Sequence, residues 1–378
     1  MSKLMIVESP AKAKTINKYL GNDFIVLASF GHVVDLPSKP GSVLPDQDFK
    51  MIYEVSSRSQ KHLDAIFKAA KNINEVFIAT DPDREGEAIA WHLADLLHEN
   101  IKKPKYSQIK RVTFNEITKA SVQAGIKAAR DIDDDLVNAQ KARRALDYLV
   151  GFTLSPVLWR KLPGCKSAGR VQSVALRLIC ERDNEIAAFK KQEYWDLAAF
   201  FNAISNSKNN KFSAKLTKIN NKKLNKFDIP TEQEANIIKA DLEKCSFIIK
   251  EINKKQQQKN PVPPFITSTL QQEASNKINF SAKKTMQVAQ KLYEGVSING
   301  KETGLITYMR TDGVYISKDA LNDIRKYIKD EIGEQYLHST TREYASKIKN
   351  AQEAHEAIRP VDINLSPHFV KEFISTDE

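Results

Sequence analysis

Through the first ~125 residues, short apolar runs alternate with amphipathic stretches, and the two periods read in turn as strands and helices. The run LMIV (4–7) predicts a buried strand. PAKAKTINKYL (10–20) follows as a helix with proline in its first turn, where the missing N–H is no loss. FIVLAS (24–29), EVFIAT (75–80) and IKRVTF (109–114) predict further strands. Helices are predicted at 59–72, 84–97 and 115–129, the last with Asn115 as its N-cap. Such a strand–helix rhythm implies a mostly parallel sheet covered by helices.

The pattern then changes twice. From about 133 to 190 it is nearly all helical, opening with the acidic run DDDL that suits a helix N-terminus. A second helix is expected through SAGRVQSVALRLICERDNEI, capped by Ser167 or Ser173. Between 191 and 262, EYWDLAAFFNA and KFSAKLTKI alternate like antiparallel strands, with SNSKNNK as a hairpin tip. KNPVPPF ends this stretch as a hinge. Helices return from Thr267 to about Lys371. The expected organisation is an α/β domain at 1–128, a helical segment at 129–190, a β-rich segment at 191–264 and a helical segment at 265–378.

Composition sharpens this only in part. The net charge of +11 favours a polyanionic partner, nucleic acid ahead of membrane. Cys165, Cys180 and Cys245 are far apart, which argues against a zinc site or disulfide framework and suits a reducing cytoplasm. No run approaches the ~20 apolar residues of a membrane span.

Two segments carry candidate chemistry. ATDPDREGEA places Asp81, Asp83, Glu85 and Glu87 between an apolar strand and a helix, where open α/β sheets bind ligands. Read alone, it is either a solvated helix start or a holder of a hard cation such as Mg²⁺. Glu8 ends the first strand and can reach the same sheet edge, with Lys12 and Lys14 beside it. Acids, metal and lysines together suit phosphate chemistry. In GLITYMRTDG, Tyr308 lies two residues before Arg310. A phenol is a poor nucleophile unless a neighbouring cation helps it, and a guanidinium matches phosphate oxygens.

VESPAKAKTI and ATDPDREGEAIAWHL together resemble the Toprim domain of type IA DNA topoisomerases. LYEG (292–295), YMRTDG and QEAHEAIRP (352–360) resemble the same family in the same order, with a lean toward its bacterial topoisomerase I branch. The resemblance implies a multidomain core: a Toprim domain, mainly helical domains and part of a β-rich arch. It implies Mg²⁺ held by Glu8, Asp81 and Asp83 with Glu85 nearby, and Glu8 moving protons at the leaving 3′ oxygen. Tyr308 would form a 5′-phosphotyrosyl link with one strand of negatively supercoiled DNA, which is later resealed without ATP. Arg310 would clamp the phosphate, and Glu294 would lie near the site. His32, Arg143, Arg144, Asp147 and His355 match DNA-contact positions. Phe152 and Trp159 either stack on bases or fill the core. Ser167, Ala168, Gly169, Arg170, Val171 and Gln172 would line a strand-binding groove. A cytoplasmic, nucleoid-associated monomer is expected. Family members continue past the AHEAIRP segment, so an incomplete core is expected too. A DNA-binding fragment that does not cut is the alternative.

Overall fold

The structure, a computed structural model, describes residues 3–101, 106, 108–202, 211–344 and 356–378. The chain divides into two compact units, Met1–Gly169 together with Pro261–Glu378, and Arg170–Asn260.

The first unit is built on a parallel sheet. Strand Lys3–Val7 lies between Phe24–Ala28 on one side and Glu75–Ile78 on the other, and Ile109–Arg111 pairs outside Glu75–Ile78. All three pairings are parallel, so the expected mostly parallel sheet is present. The continuous apolar run of the first strand follows from burial on both faces. Leu4 and Ile6 pack with Leu63, Ile66, Ile89 and Leu93, from the helices Gln60–Ala70 and Arg84–Asn100. Met5 and Val7 face the other way, onto Ile16 of the helix Pro10–Leu20 and onto Tyr293, Tyr308 and Met309. The tyrosine segment is therefore part of the second core.

Expected and observed elements differ mostly at their ends. The last strand of the sheet stops at Arg111, where its ladder with Glu75–Ile78 ends. Asn115 is not a cap. The helix is Lys119–Lys127, and Thr118 caps it by accepting from the Ser121 N–H at 3.0 Å. Two small antiparallel ladders, Val34–Asp35 with Glu54–Val55 and Val43–Leu44 with Lys50–Met51, occupy the connection after Ala28, where no element was expected. The long helix Asp134–Lys161 starts on the Asp133 side chain, as its acidic opening predicts.

The region after Thr267 is less helical than expected. The helices Thr267–Ile278, Ala282–Glu294 and Lys318–Tyr327 are separated by the hairpin Val296–Ile298/Lys301–Thr303 and by extended chain that carries Tyr308. Residues 356–360 lie against this extended chain through bridges to Phe265, Ile306 and Tyr315.

In the second unit, helix Arg170–Ala188 includes Ser173 within its first turn, so Ser173 does not cap it. Strands Ala198–Asn202 and Lys211–Lys215 pair antiparallel, as the alternation predicts. The expected hairpin tip lies almost wholly outside the described residues. A second, two-residue hairpin joins Lys218–Ile219 to Lys222–Lys223. The helix Glu232–Leu242 was not foreseen. Its signals, a Thr231 cap accepting from the Glu234 N–H at 3.3 Å and acids in the first turn, sit inside a stretch read as strands. No described helix is long and apolar enough to cross a membrane.

Candidate active site

The parallel strands run in the spatial order second, first, third, fourth. The connections leave the first strand in opposite directions, so a crevice opens between the carboxyl ends of Lys3–Val7 and Glu75–Ile78. Glu8 directly follows one strand, and Asp81 follows the other by three residues. Their carboxylates converge on one ammonium: Lys12 Nζ donates to Glu8 Oε1 and to Asp81 Oδ1, and Lys12 is fully buried. Helix Pro10–Leu20 sets Lys12 there, because Ser9 caps it by accepting the Lys12 N–H at 3.2 Å.

These three groups titrate as one set. Burial works to lower the Lys12 ammonium, but Asp81 and Glu8 outweigh it and leave the group above its ordinary value. Burial works to raise Glu8, yet the Lys12 charge and hydrogen bonds from Asp81 and Lys12 leave it below the usual carboxylate value. Asp81 goes the other way: burial, with the Glu8 charge, pushes it well above its ordinary value despite Lys12.

The remaining acids diverge. Asp83 caps helix Arg84–Asn100, accepting the Gly86 N–H at 2.8 Å. Gly86 is required, since a Cβ there would stand 2.0 Å from the Asp81 carbonyl oxygen. The other Asp83 oxygen accepts the Tyr308 hydroxyl at 2.7 Å and lies 3.9 Å from Arg310 Nη1. Glu85 turns toward His32 (3.4 Å) and accepts from Gln140 Nε2 at 3.1 Å; the His32 hydrogen bond, against some burial, brings its carboxyl down to about 2. Glu87 is buried further along the helix, where Arg111 Nε donates at 2.9 Å and Arg130 Nη1 at 2.8 Å. The Arg111 guanidinium also donates to the Thr80 and Asp81 carbonyls at 2.9 and 2.6 Å, fixing the strand end that presents Asp81. Among the described residues, no three His, Cys, Asp or Glu side chains stand together in metal-binding geometry.

Tyr308 is 2% exposed. Its backbone N–H donates to the Asn115 carbonyl at 2.7 Å, and its ring meets Tyr293 edge-on at 5.3 Å. On either side, the Thr307 N–H donates to the Arg359 carbonyl at 3.0 Å, and Thr267 Oγ1 donates to the Met309 carbonyl at 2.7 Å. Burial, then the Asp81 and Asp83 charges, push the phenol far above its ordinary pKa, and Arg310 offsets only part of this. Arg310 itself is 58% exposed in its side chain, with Asp83 as its ion-pair partner.

A cleft of about 1140 Å³ is lined by Glu8, Asp81, Asp83, Glu85, Arg310 and Asp312, together with His32, Arg143, Lys283, Gln287 and Gln290; Tyr308 and Lys12 do not line it. Arg143 and Asp147 are 4.0 Å apart along one helix face, whereas Arg144 is held by Asp35 at 2.7 Å. Phe152 stacks on Tyr148 with ring centres 4.4 Å apart, and Trp159 is exposed with its Nε1 donating to the Lys166 carbonyl at 2.6 Å. The Ala168 N–H donates to Ser155 Oγ at 3.0 Å, which ties the Ser167–Gly169 turn to the long helix. Arg170, Val171 and Gln172 open the first helix of the other unit. Glu294 accepts from Gln290 Nε2 at 2.8 Å. His355 lies outside the described residues.

Arg111 and Thr267 were not foreseen as site residues, Asn115 was expected only as a helix cap, and Tyr293 stood inside the LYEG motif with no role of its own. Each acts through burial, ring or backbone contacts across the fold.

A family model described as DNA topoisomerase matches residues 131–372, and one described as Toprim domain matches residues 3–117. Among curated proteins, DNA topoisomerase 1 of Rickettsia bellii is 61% identical over 376 residues, covering 99% of this chain and 46% of that protein. DNA topoisomerase 1 of Xylella fastidiosa is 50% identical over 381 residues, with 99% and 46% covered. The solved structure of full-length topoisomerase I from Thermotoga maritima superposes with a TM-score of 0.80 at 36% identity, covering 99% of this chain and 58% of that one. The chain spans about half the length of the curated relatives it matches.

Proposed function

Because this chain belongs to the DNA topoisomerase family, we propose that it carries a type IA cleavage site: Tyr308 cuts one DNA strand and holds its 5′ end. The observation that carries this reading is the 2.7 Å hydrogen bond from the Tyr308 hydroxyl to Asp83, which brings the phenol to the acids at the sheet edge. Tyr308 Oη attacks phosphorus, and the new O–P bond forms as the bond to the 3′ oxygen breaks. The phenolic proton passes to Asp83. The 3′ oxygen takes a proton from the Glu8–Lys12–Asp81 group, in which Lys12 is charged and shared between the two acids. Arg310 binds the phosphate oxygens. Resealing reverses these steps and needs no ATP, because the phosphotyrosyl bond keeps the energy of the bond it replaced.

The donor chemistry suits Mg²⁺, because Glu8, Asp81 and Asp83 offer only carboxylate oxygen, although among the described residues they do not stand together in metal-binding geometry and the Lys12 ammonium bridges two of them. Glu8, Asp81 and Asp83 would hold the ion, with Glu85 outside the set. Bound there, Mg²⁺ would supply charge against the reacting phosphate.

On this reading the DNA strand enters beside His32, Arg143, Arg144 and Asp147, with Phe152 and Trp159 further along the same helix. The turn 167–169 is read as part of that surface, and Arg170, Val171, Gln172 and His355 keep the DNA-contact roles that the family resemblance implies for them. Residues 1–128 form the Toprim domain, 129–190 and 265–378 the helical parts, and 191–264 part of the arch. The protein works as a monomer on bacterial DNA in the cytoplasm, passing a second strand through the gap. The test is direct: incubation with single-stranded DNA and Mg²⁺, then denaturation, leaves DNA bound to the wild-type chain, while Tyr308→Phe or EDTA leaves none. A Tyr308→Phe chain that traps as much DNA sinks the assignment. DNA binding without cutting is the second reading, supported by the burial of Tyr308. Ordinary DNA affinity with no adduct would favour it.

A further inference from the structure

Far along the sequence from these acids, residues 211–226 of the second unit hold six lysines and no acid. Lys215 is matched by Asp196 at 2.6 Å. Lys218, Lys222 and Lys223 are exposed, and among the described residues no acid pairs with them. The hairpin that carries them turns through Asn220 and Asn221, whose φ values of 49° and 64° are those of a tight primed turn. That turn sets the register: Lys218 stands directly opposite Lys223, and Ile219 opposite Lys222. Directly opposed residues share one face with their Cβ atoms about 5 Å apart, and like charges placed so repel. Two lysine side chains thus leave one face of the hairpin from directly facing positions. Lys226, just beyond, lies over the Tyr194 ring at 4.5 Å and the Phe227 ring at 5.4 Å.

We infer that Lys218 and Lys223 form a clamp for a backbone phosphate of nucleic acid, a contact separate from the cleavage site. From facing positions on one face, both long side chains can reach the same phosphate, and the occupant relieves their mutual repulsion. Such a contact is blind to sequence and depends strongly on salt. It rests on the reading that the chain handles DNA.

The experiment measures affinity of the full chain for an oligothymidylate as a function of salt. With Lys218→Gln/Lys223→Gln, the slope of log affinity against log salt becomes shallower by about 0.7, the share of one single-strand phosphate. Either single substitution achieves most of that loss, because half a clamp holds little. Lys222→Gln, on the other face, leaves the slope unchanged, and Lys218→Arg/Lys223→Arg keeps it. A double variant with the wild-type slope overturns the proposal, as does an equal loss with Lys222→Gln. It also fails if the pair matters only for vesicles of phosphatidylcholine and phosphatidylserine. A chain that traps no DNA on Tyr308 yet shows the slope change would overturn the cleavage reading alone.

Discussion

Replacing Asp83 with Asn separates the two jobs of that side chain. One oxygen caps the helix at the Gly86 N–H, and Asn caps about as well as Asp, so the fold should persist. The other oxygen, 2.7 Å from the Tyr308 hydroxyl, loses its charge. A hydrogen bond to a charged acceptor is worth about 1.5–3 kcal/mol and a neutral one about 0.5–1.5, so the change removes roughly 1–1.5 kcal/mol. At about 1.4 kcal/mol per decade, adduct formation falls about tenfold from this term, and further because an amide cannot take the proton. The phenol moves the opposite way. Burial and the Asp81 and Asp83 charges hold it protonated, so losing one charge makes ionisation easier. In EDTA, the 295 nm difference titration between the wild type and Tyr308→Phe should show no Tyr308 step below about pH 11, above the ordinary tyrosine value near 10. The same difference for Asp83→Asn steps at lower pH than the wild type. A wild-type step near pH 10, or full-rate cleavage by Asp83→Asn, would refute the reasoning.

Two predictions concern stability. Burial, aided by Lys141 and His32, brings His92 down to about 4, so it is neutral in the fold and its contribution is complete above pH 6.5. As pH falls from 6.5 through about 4, roughly 3 kcal/mol is lost, and His92→Gln should flatten the urea-midpoint curve across that window. Arg111→Met strips a fully buried guanidinium from Glu87 and from the Thr80 and Asp81 carbonyls. Urea unfolding should show a loss of about 3–5 kcal/mol, and a loss below about 1 kcal/mol would mean Arg130 suffices for Glu87.

The parallel sheet was legible because both faces of Lys3–Val7 are buried, which leaves an uninterrupted apolar run in the sequence. The acids at the strand ends were legible for the same reason, since they stand where that run stops. The two ladders between Val34 and Val55 were not, because paired strands two residues long show no period to read. The divergence of Glu85 was hidden as well. Spacing puts it beside Asp83, but its direction depends on His32 and Gln140, which arrive from distant elements. Tyr308 as a buried group was hidden in a different way. Its neighbours Asn115, Thr267 and Arg359 come from three separate stretches of chain, and only the folded backbone brings them together.

That last arrangement has a consequence for how the protein is made. The four strands of the sheet and their acids have all been synthesised by residue 111, while the extended chain around Tyr308 is pinned by the Arg359 carbonyl. At about 5–20 residues per second, tens of seconds separate the two events on the ribosome. During that interval the acids stand without Tyr308 beside them. On the cleavage reading proposed above, a growing chain folds around its acids before it can sever DNA, and the capacity to cut arrives late, in a single step.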